Sequence, residues 1–196
     1  MSAMSQLNLF ESPPDRAEQW QLTKPMAASR LRRHAMARLE FVRRHFPELE
    51  SVTVRVGRTR SRRARAWASL DPAFPAIWIK PGSLPLFTAA HELTHLLQAL
   101  SLVPRGEKAA DLFALARHPE LIDKPPTYIK VPRLLFGLDG KPRLGTPELL
   151  HQAANRAIAE SDGRSRRAIR LFEEYAAMAA LPPALRIFER LAQFFA

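Results

Sequence analysis

The 196-residue chain contains no cysteine. Disulfide staples, thiolate metal sites and cysteine nucleophiles are therefore excluded, and any bound metal must be held by histidine and carboxylate. No run of about 20 apolar residues is present, so no membrane-spanning helix is expected. The opening Met1-Ser2-Ala3-Met4-Ser5-Gln6-Leu7 lacks both the basic start and the apolar core of a signal peptide, and a cytoplasmic protein is the expectation. Internal repeats and low-complexity tracts are absent as well. Acidic residues are few beside basic ones, 19 against 30, leaving a formal charge of +11. What is plentiful is apolar surface: 46% hydrophobic residues suffice for the core of one domain with a helical appendix.

One string carries a chemical mechanism on its own, His91-Glu92-Leu93-Thr94-His95. On a helix, residues four apart share a face, so both imidazoles can reach one metal ion while Glu92 points toward whatever that ion binds. Two readings compete, a zinc site and a surface helix with solvated polar residues. Leu86, Phe87, Ala90, Leu93, Leu97 and Leu100 wrap most of the helical wheel, which predicts burial on more than one side. Buried imidazoles and a buried carboxylate need partners, and a cation supplies them. Ser83 is the expected N-cap, with Pro85 in the first turn.

A catalytic zinc takes three protein ligands and a water, so a third ligand is expected on the next element. Val103-Pro104-Arg105-Gly106 breaks the chain, and a second helix starts with Glu107-Lys108-Ala109-Ala110-Asp111. So short a connection predicts an antiparallel pair that returns toward His95. Counting residues along the hairpin favours Asp111 as the ligand, whereas Glu107 reaches one methylene further.

The string His91-Glu92-Leu93-Thr94-His95 followed by Glu107-Lys108-Ala109-Ala110-Asp111 resembles the gluzincin metallopeptidases, and its compact spacing resembles the small minigluzincins. The resemblance covers residues 26 to 114. It implies Glu107 as the third zinc ligand and Asp111 as the residue that holds a zinc-bound histidine by its other ring nitrogen, a role that fixes the tautomer and raises ligand basicity. It also implies a peptidase in which zinc lowers the pKa of a water, and Glu92 takes the proton and returns it to the leaving amine. Tyr128 is a candidate oxyanion donor if the loop after the second helix folds over the site; His118 and His151 are further candidates.

The surrounding pattern predicts an α+β chain with a zincin-like lobe. Met26 to His45 reads as an N-terminal helix burying Ala28, Leu31, Ala35, Leu39 and Val42. Residues 52–56, 64–68 and 76–80 read as three strands. Strand 76–80, directly before the active-site helix, is expected at the upper rim of a substrate cleft; with a free edge it can pair with an extended peptide, and the competing reading is an interior strand with no ligand. The expected organisation is an N-terminal extension over 1–25, a catalytic lobe over 26–117, a Pro-rich loop segment over 118–146, and a helical C-terminal region over 147–196 packed on the lobe. Its helices are expected at 147–160, 164–180 and 183–195. By position, this region is a candidate to occlude the site and keep the enzyme latent.

Basic residues cluster in the N-terminal half, among them Arg30, Arg32, Arg33, Arg43 and Arg44, with Arg55, Arg58, Arg60, Arg62, Arg63 and Arg65 crowding segment 55–65. Such a zone attracts phosphate polymers. The competing reading is thus a nucleic-acid-associated or adaptor protein with a structural or vestigial metal site. Only Trp67 lies near these arginines in sequence, so no base-stacking platform is indicated.

Overall fold

The structure is a computed structural model and describes residues 19–59, 61 and 65–181. Within them lie six α-helices and one four-stranded mixed sheet. The chain begins with β1 (Trp20–Leu22), α1 (Lys24–Ala27) and α2 (Arg32–Arg43), then β2 (Val54–Arg58), β3 (Ala66–Ala68) and β4 (Ala76–Ile79). Helices α3 (Leu86–Ala99), α4 (Glu107–Leu115), α5 (Thr146–Ala159) and α6 (Ser165–Ala179) follow.

The sheet order is β1-β2-β4-β3, with β1, β2 and β4 parallel and β3 antiparallel to β4. The period-2 pattern sorts side chains to two faces. Val54, Val56, Ile77 and Ile79 are fully buried beneath the helices, while Arg55 and Trp67 point the other way and are exposed. Val56 pairs with Ile77 and Ala68 with Ile77 across neighbouring strands, so the inner face is a continuous aliphatic layer. Helix α3 crosses this layer, and twelve of its fourteen residues are buried. The nearly all-round apolar wheel of its sequence is thus matched by burial on all sides.

Several expectations need correction. The expected extension over 1–25 includes β1, which pairs with β2 and belongs to the sheet. The single helix expected over 26–45 is broken: α1 ends at Ala27, residues 28–31 turn, and Ala28 and Leu31 are exposed. Ala35, Leu39 and Val42 are buried as their spacing predicts. Of the two readings of strand 76–80 the interior one holds, and the edges of the sheet are β1 and β3. Ser83 does not cap α3, which starts at Leu86 instead. Its first amides are satisfied from far away, since the Asp123 carboxylate accepts from Leu86 N at 2.8 Å and Phe87 N at 3.0 Å. Asp123 also pairs with Arg38 of α2 at 2.9 Å, locking the loop after α4 against two helices.

Arg43 leaves the expected basic zone altogether. Its guanidinium is 5% exposed and donates to the carbonyls of Gln19 and Val52 at 3.1 and 2.6 Å, with the Trp20 ring 4.7 Å away. It closes the end of α2 rather than facing solvent.

Helices α5 and α6 pair with each other and rest on α4, and Leu150, Ala154, Phe172 and Ala176 join the same hydrophobic cluster as the sheet. The helix expected over 183–195 lies outside the described residues, as do Arg60, Arg62 and Arg63. Among the described residues no helix is long and apolar enough to cross a membrane.

Candidate metal centre and active site

Antiparallel α3 and α4 bring the histidines and the acidic residues together. The Nε2 atoms of His91 and His95 lie 3.1 Å apart, and Glu107 Oε2 stands 3.1 Å from the first and 3.2 Å from the second. Hairpin counting had favoured Asp111 at this apex. The loop accounts for the difference: Ser101 turns left-handed at φ 59, and Gly106 adopts φ 111, so α4 begins beside His95 with Glu107 in its first turn. Asp111 sits one turn deeper, fully buried, with Oδ1 2.8 Å from His91 Nδ1.

The hydrogen-bond network assigns both tautomers. Asp111 is a carboxylate, so His91 Nδ1 must carry the proton that it donates. Gln98 spends its Nε2 on the carbonyls of Pro104 and Gly106, at 2.7 and 3.0 Å, which turns Oε1 toward His95 Nδ1 at 2.7 Å. His95 therefore also carries its proton on Nδ1. With both rings neutral, the two Nε2 lone pairs face one carboxylate oxygen, three acceptors that either a proton on His91 or a cation can bridge. A cation resolves that arrangement. Tetrahedral zinc with bonds of about 2.0–2.1 Å needs donors about 3.3 Å apart, close to the observed 3.1–3.2 Å. The donor set, two imidazoles and a carboxylate, suits zinc chemically, and His91, His95 and Glu107 form one of two groups among the described residues able to hold a metal ion.

Glu92 is 6% exposed, and its Oε2 is a buried oxygen without a hydrogen-bond partner. Burial, reinforced by the like charge of Glu107 and opposed by His91 and Lys124, pushes its carboxyl up to about 7. His91 behaves oppositely to an ordinary buried histidine. Burial works against its protonation, but the Asp111 hydrogen bond and the charges of Asp111, Glu92 and Glu107 outweigh it and raise its pKa.

Tyr128 is brought to the site by Asp111. The second carboxylate oxygen, Oδ2, accepts from the backbone amides of Thr127, Tyr128 and Ile129 at 2.9, 2.6 and 3.2 Å. The phenol ring then lies 5.6 Å from the His91 ring and nearly parallel to it. Partial burial and the carboxylates nearby raise its pKa, which keeps the hydroxyl a donor. His118 and His151 do not join the site. His118 stacks on His45 at 4.4 Å, and His151 donates through Nδ1 to the Leu115 carbonyl at 3.0 Å.

A cavity of about 440 Å³ opens beside these groups, with Ala66, Thr88, His91, Glu92, Lys124 and Tyr128 in its lining. Ala66 belongs to β3, so the free edge strand forms one wall. Neither α5 nor α6 contributes to this lining, and the expected occlusion by the C-terminal region has no counterpart among the described residues. Lys124 and Gln98 were not foreseen. Gln98 lies three residues beyond His95 on the same helix face, a spacing from which its contact was available; Lys124 arrives from a loop and left no signal. Burial lowers the Lys124 pKa, against the attraction of Asp111, Asp123 and Glu92.

Comparison of the chain with protein-family models, with curated proteins and with solved structures finds no match, so the functional reading rests on this geometry.

Proposed function

We propose that the protein is a zinc-dependent metallopeptidase of gluzincin type, with a zincin-like lobe formed by the sheet, α2, α3 and α4. His91, His95 and Glu107 would hold the metal, and Asp111 would orient His91. When bound, zinc supplies Lewis acidity toward a carbonyl and a water that ionises near neutral pH. Glu92 serves as the general base and then as the general acid, taking a proton on Oε2 and delivering it to the leaving amine. Tyr128 donates its hydroxyl to the oxygen that develops negative charge. The exposed backbone of β3 offers an extended peptide a strand to pair with beside the cavity.

The observation that carries this reading is the partnerless Oε2 of Glu92 in the cavity wall, one residue from a metal donor. A purely structural zinc site closes its coordination with four protein ligands, whereas three donors beside an open cavity leave a place for water and substrate. The test compares wild-type protein and Glu92→Gln, both loaded with zinc, on an unstructured protein substrate. Equal metal content with cleavage reduced by at least about a hundredfold supports the proposal. Zinc-replete wild-type protein that cleaves nothing, or a Glu92→Gln variant that cleaves as well as wild type, sinks it.

A further inference from the structure

The sheet face turned away from the helices differs from the face that carries the core. Two registered rows cross it, Gln21 with Arg55 and Ala76, and Gly57 with Trp78 and Trp67 at the β3 edge. Trp67 and Trp78 are directly opposed in the antiparallel pair, their rings parallel within 6° and 3.8 Å apart. Gly57 makes this possible: a Cβ there would meet the Trp78 indole at 2.4 Å. The indole therefore lies flat against the β2 backbone. Yet the pair is not buried, since Trp67 is 43% exposed, and an exposed Phe74 flanks a cavity of about 280 Å³ on this same face. An exposed aromatic stack of this kind marks a binding surface rather than a core.

Its charge indicates what it binds. None of the four strands carries an acidic residue, and Arg55 lines the cavity alongside Thr53 and Gln21. Arg58 and Arg65 are exposed at the ends of β2 and β3, but Arg58 is in register with core-facing Ile79 and Arg65 lines the cavity of the metal site, so among the described strand residues Arg55 is the arginine of this face. The whole chain carries +11. An aromatic face answers the flat surface of an unpaired base, and arginines answer the phosphates on either side. Duplex bases hide their faces in the stack and cannot use it.

We propose that this outer sheet face binds single-stranded nucleic acid, with Trp67, braced by Trp78, stacking on a base and Arg55 holding a backbone phosphate. This site is separate from the metal centre and does not rest on the peptidase reading. The two share one strand: β3 presents Trp67 to the outer face and Ala66 to the cleft.

The test is fluorescence anisotropy of a labelled oligothymidylate and a labelled oligouridylate with the full chain, with a duplex as comparator. Single strands should bind more tightly than duplex. Trp67→Ala should weaken binding about tenfold or more, and Trp67→Phe should restore most of it. Arg55→Ala should lower the slope of log affinity against log salt by about 0.7, one phosphate contact. Should Trp67→Ala fail to fold, quenching of wild-type tryptophan fluorescence by the oligonucleotide decides instead, and its absence overturns the proposal. So does unchanged affinity in folded Trp67→Ala, or equal affinity for duplex. Loss of self-association in Trp67→Ala without loss of oligonucleotide binding would assign the face to a second copy of this chain and also overturn it.

Discussion

Among the described residues two groups of histidine and glutamate lie close enough to hold an ion, and they differ in how their imidazoles are supported. His91, His95 and Glu107 form the first, and His45, His118 and Glu120 the second. In the first, each imidazole has its Nδ1–H engaged from behind, by Asp111 or by Gln98, and each Nε2 faces the same point. In the second, the two rings stack face to face at 4.4 Å. There the Glu120 amide donates to His118 Nδ1 at 3.3 Å, so a ring nitrogen is spent on the backbone. The residue types match; the supporting shell does not. What separates a metal centre from a histidine cluster is which lone pairs the neighbours leave free.

The largest contrast should come from the ligands themselves. His95→Ala is expected to abolish stoichiometric zinc retention through gel filtration, with His45→Ala retaining full zinc content by elemental analysis; the reverse pattern would exchange the roles of the two groups. Next in size is the hydrogen bond behind His91. Asp111→Asn should weaken zinc affinity by about 10–100-fold in a chelator competition, because the amide holds the ring less well and supplies no charge. Gln98→Ala should have a smaller effect, about tenfold or less, since a neutral acceptor is lost and water replaces it. If Gln98→Ala matched His95→Ala in cost, the amide would have to be promoted to a role equal to the ligand's.

The smallest expected effect is in the second group and concerns pH. Burial, together with the neighbouring His118, holds the His45 pKa below its ordinary value, while Glu120 opposes the shift. The unfolded chain then takes up this proton more readily than the native one. Native stability is complete above the unfolded pKa of about 6.5 and declines as pH falls below it. The ring is only partly buried, so the loss is small. His45→Gln should flatten the drop in melting temperature between neutral and mildly acidic pH by a correspondingly small amount, and a steeper drop in the variant would refute the assignment.

The candidate metal ligands were legible because helical periodicity is local: residues four apart on α3, and four apart on α4, face the same way whatever the rest of the chain does. Choosing between Glu107 and Asp111 was not, because it turned on the φ of Ser101 and Gly106, which residue counting does not see. The strands were found from alternation, but their order was hidden, so whether strand 76–80 was an edge or interior stayed open until the sheet order placed β3 at the edge beside it. Strand β1 is only three residues long and offered too few positions to show alternation. The Trp67–Trp78 stack escaped for a related reason: eleven positions separate the two in sequence, and only cross-strand register places them together. The cap on α3 came from Asp123, far along the chain, where a local Ser83 had been expected.

Asp111 joins two things usually discussed apart. One of its oxygens holds the ring of His91, a candidate metal donor, and the other gathers three consecutive amides of the segment that carries Tyr128. Any shift of the imidazole on ion capture is therefore passed through a single side chain to the phenol, without a moving domain or a hinge. Exchange of the Thr127, Tyr128 and Ile129 amide hydrogens with solvent becomes an occupancy gauge for the ion, read at a distance from it.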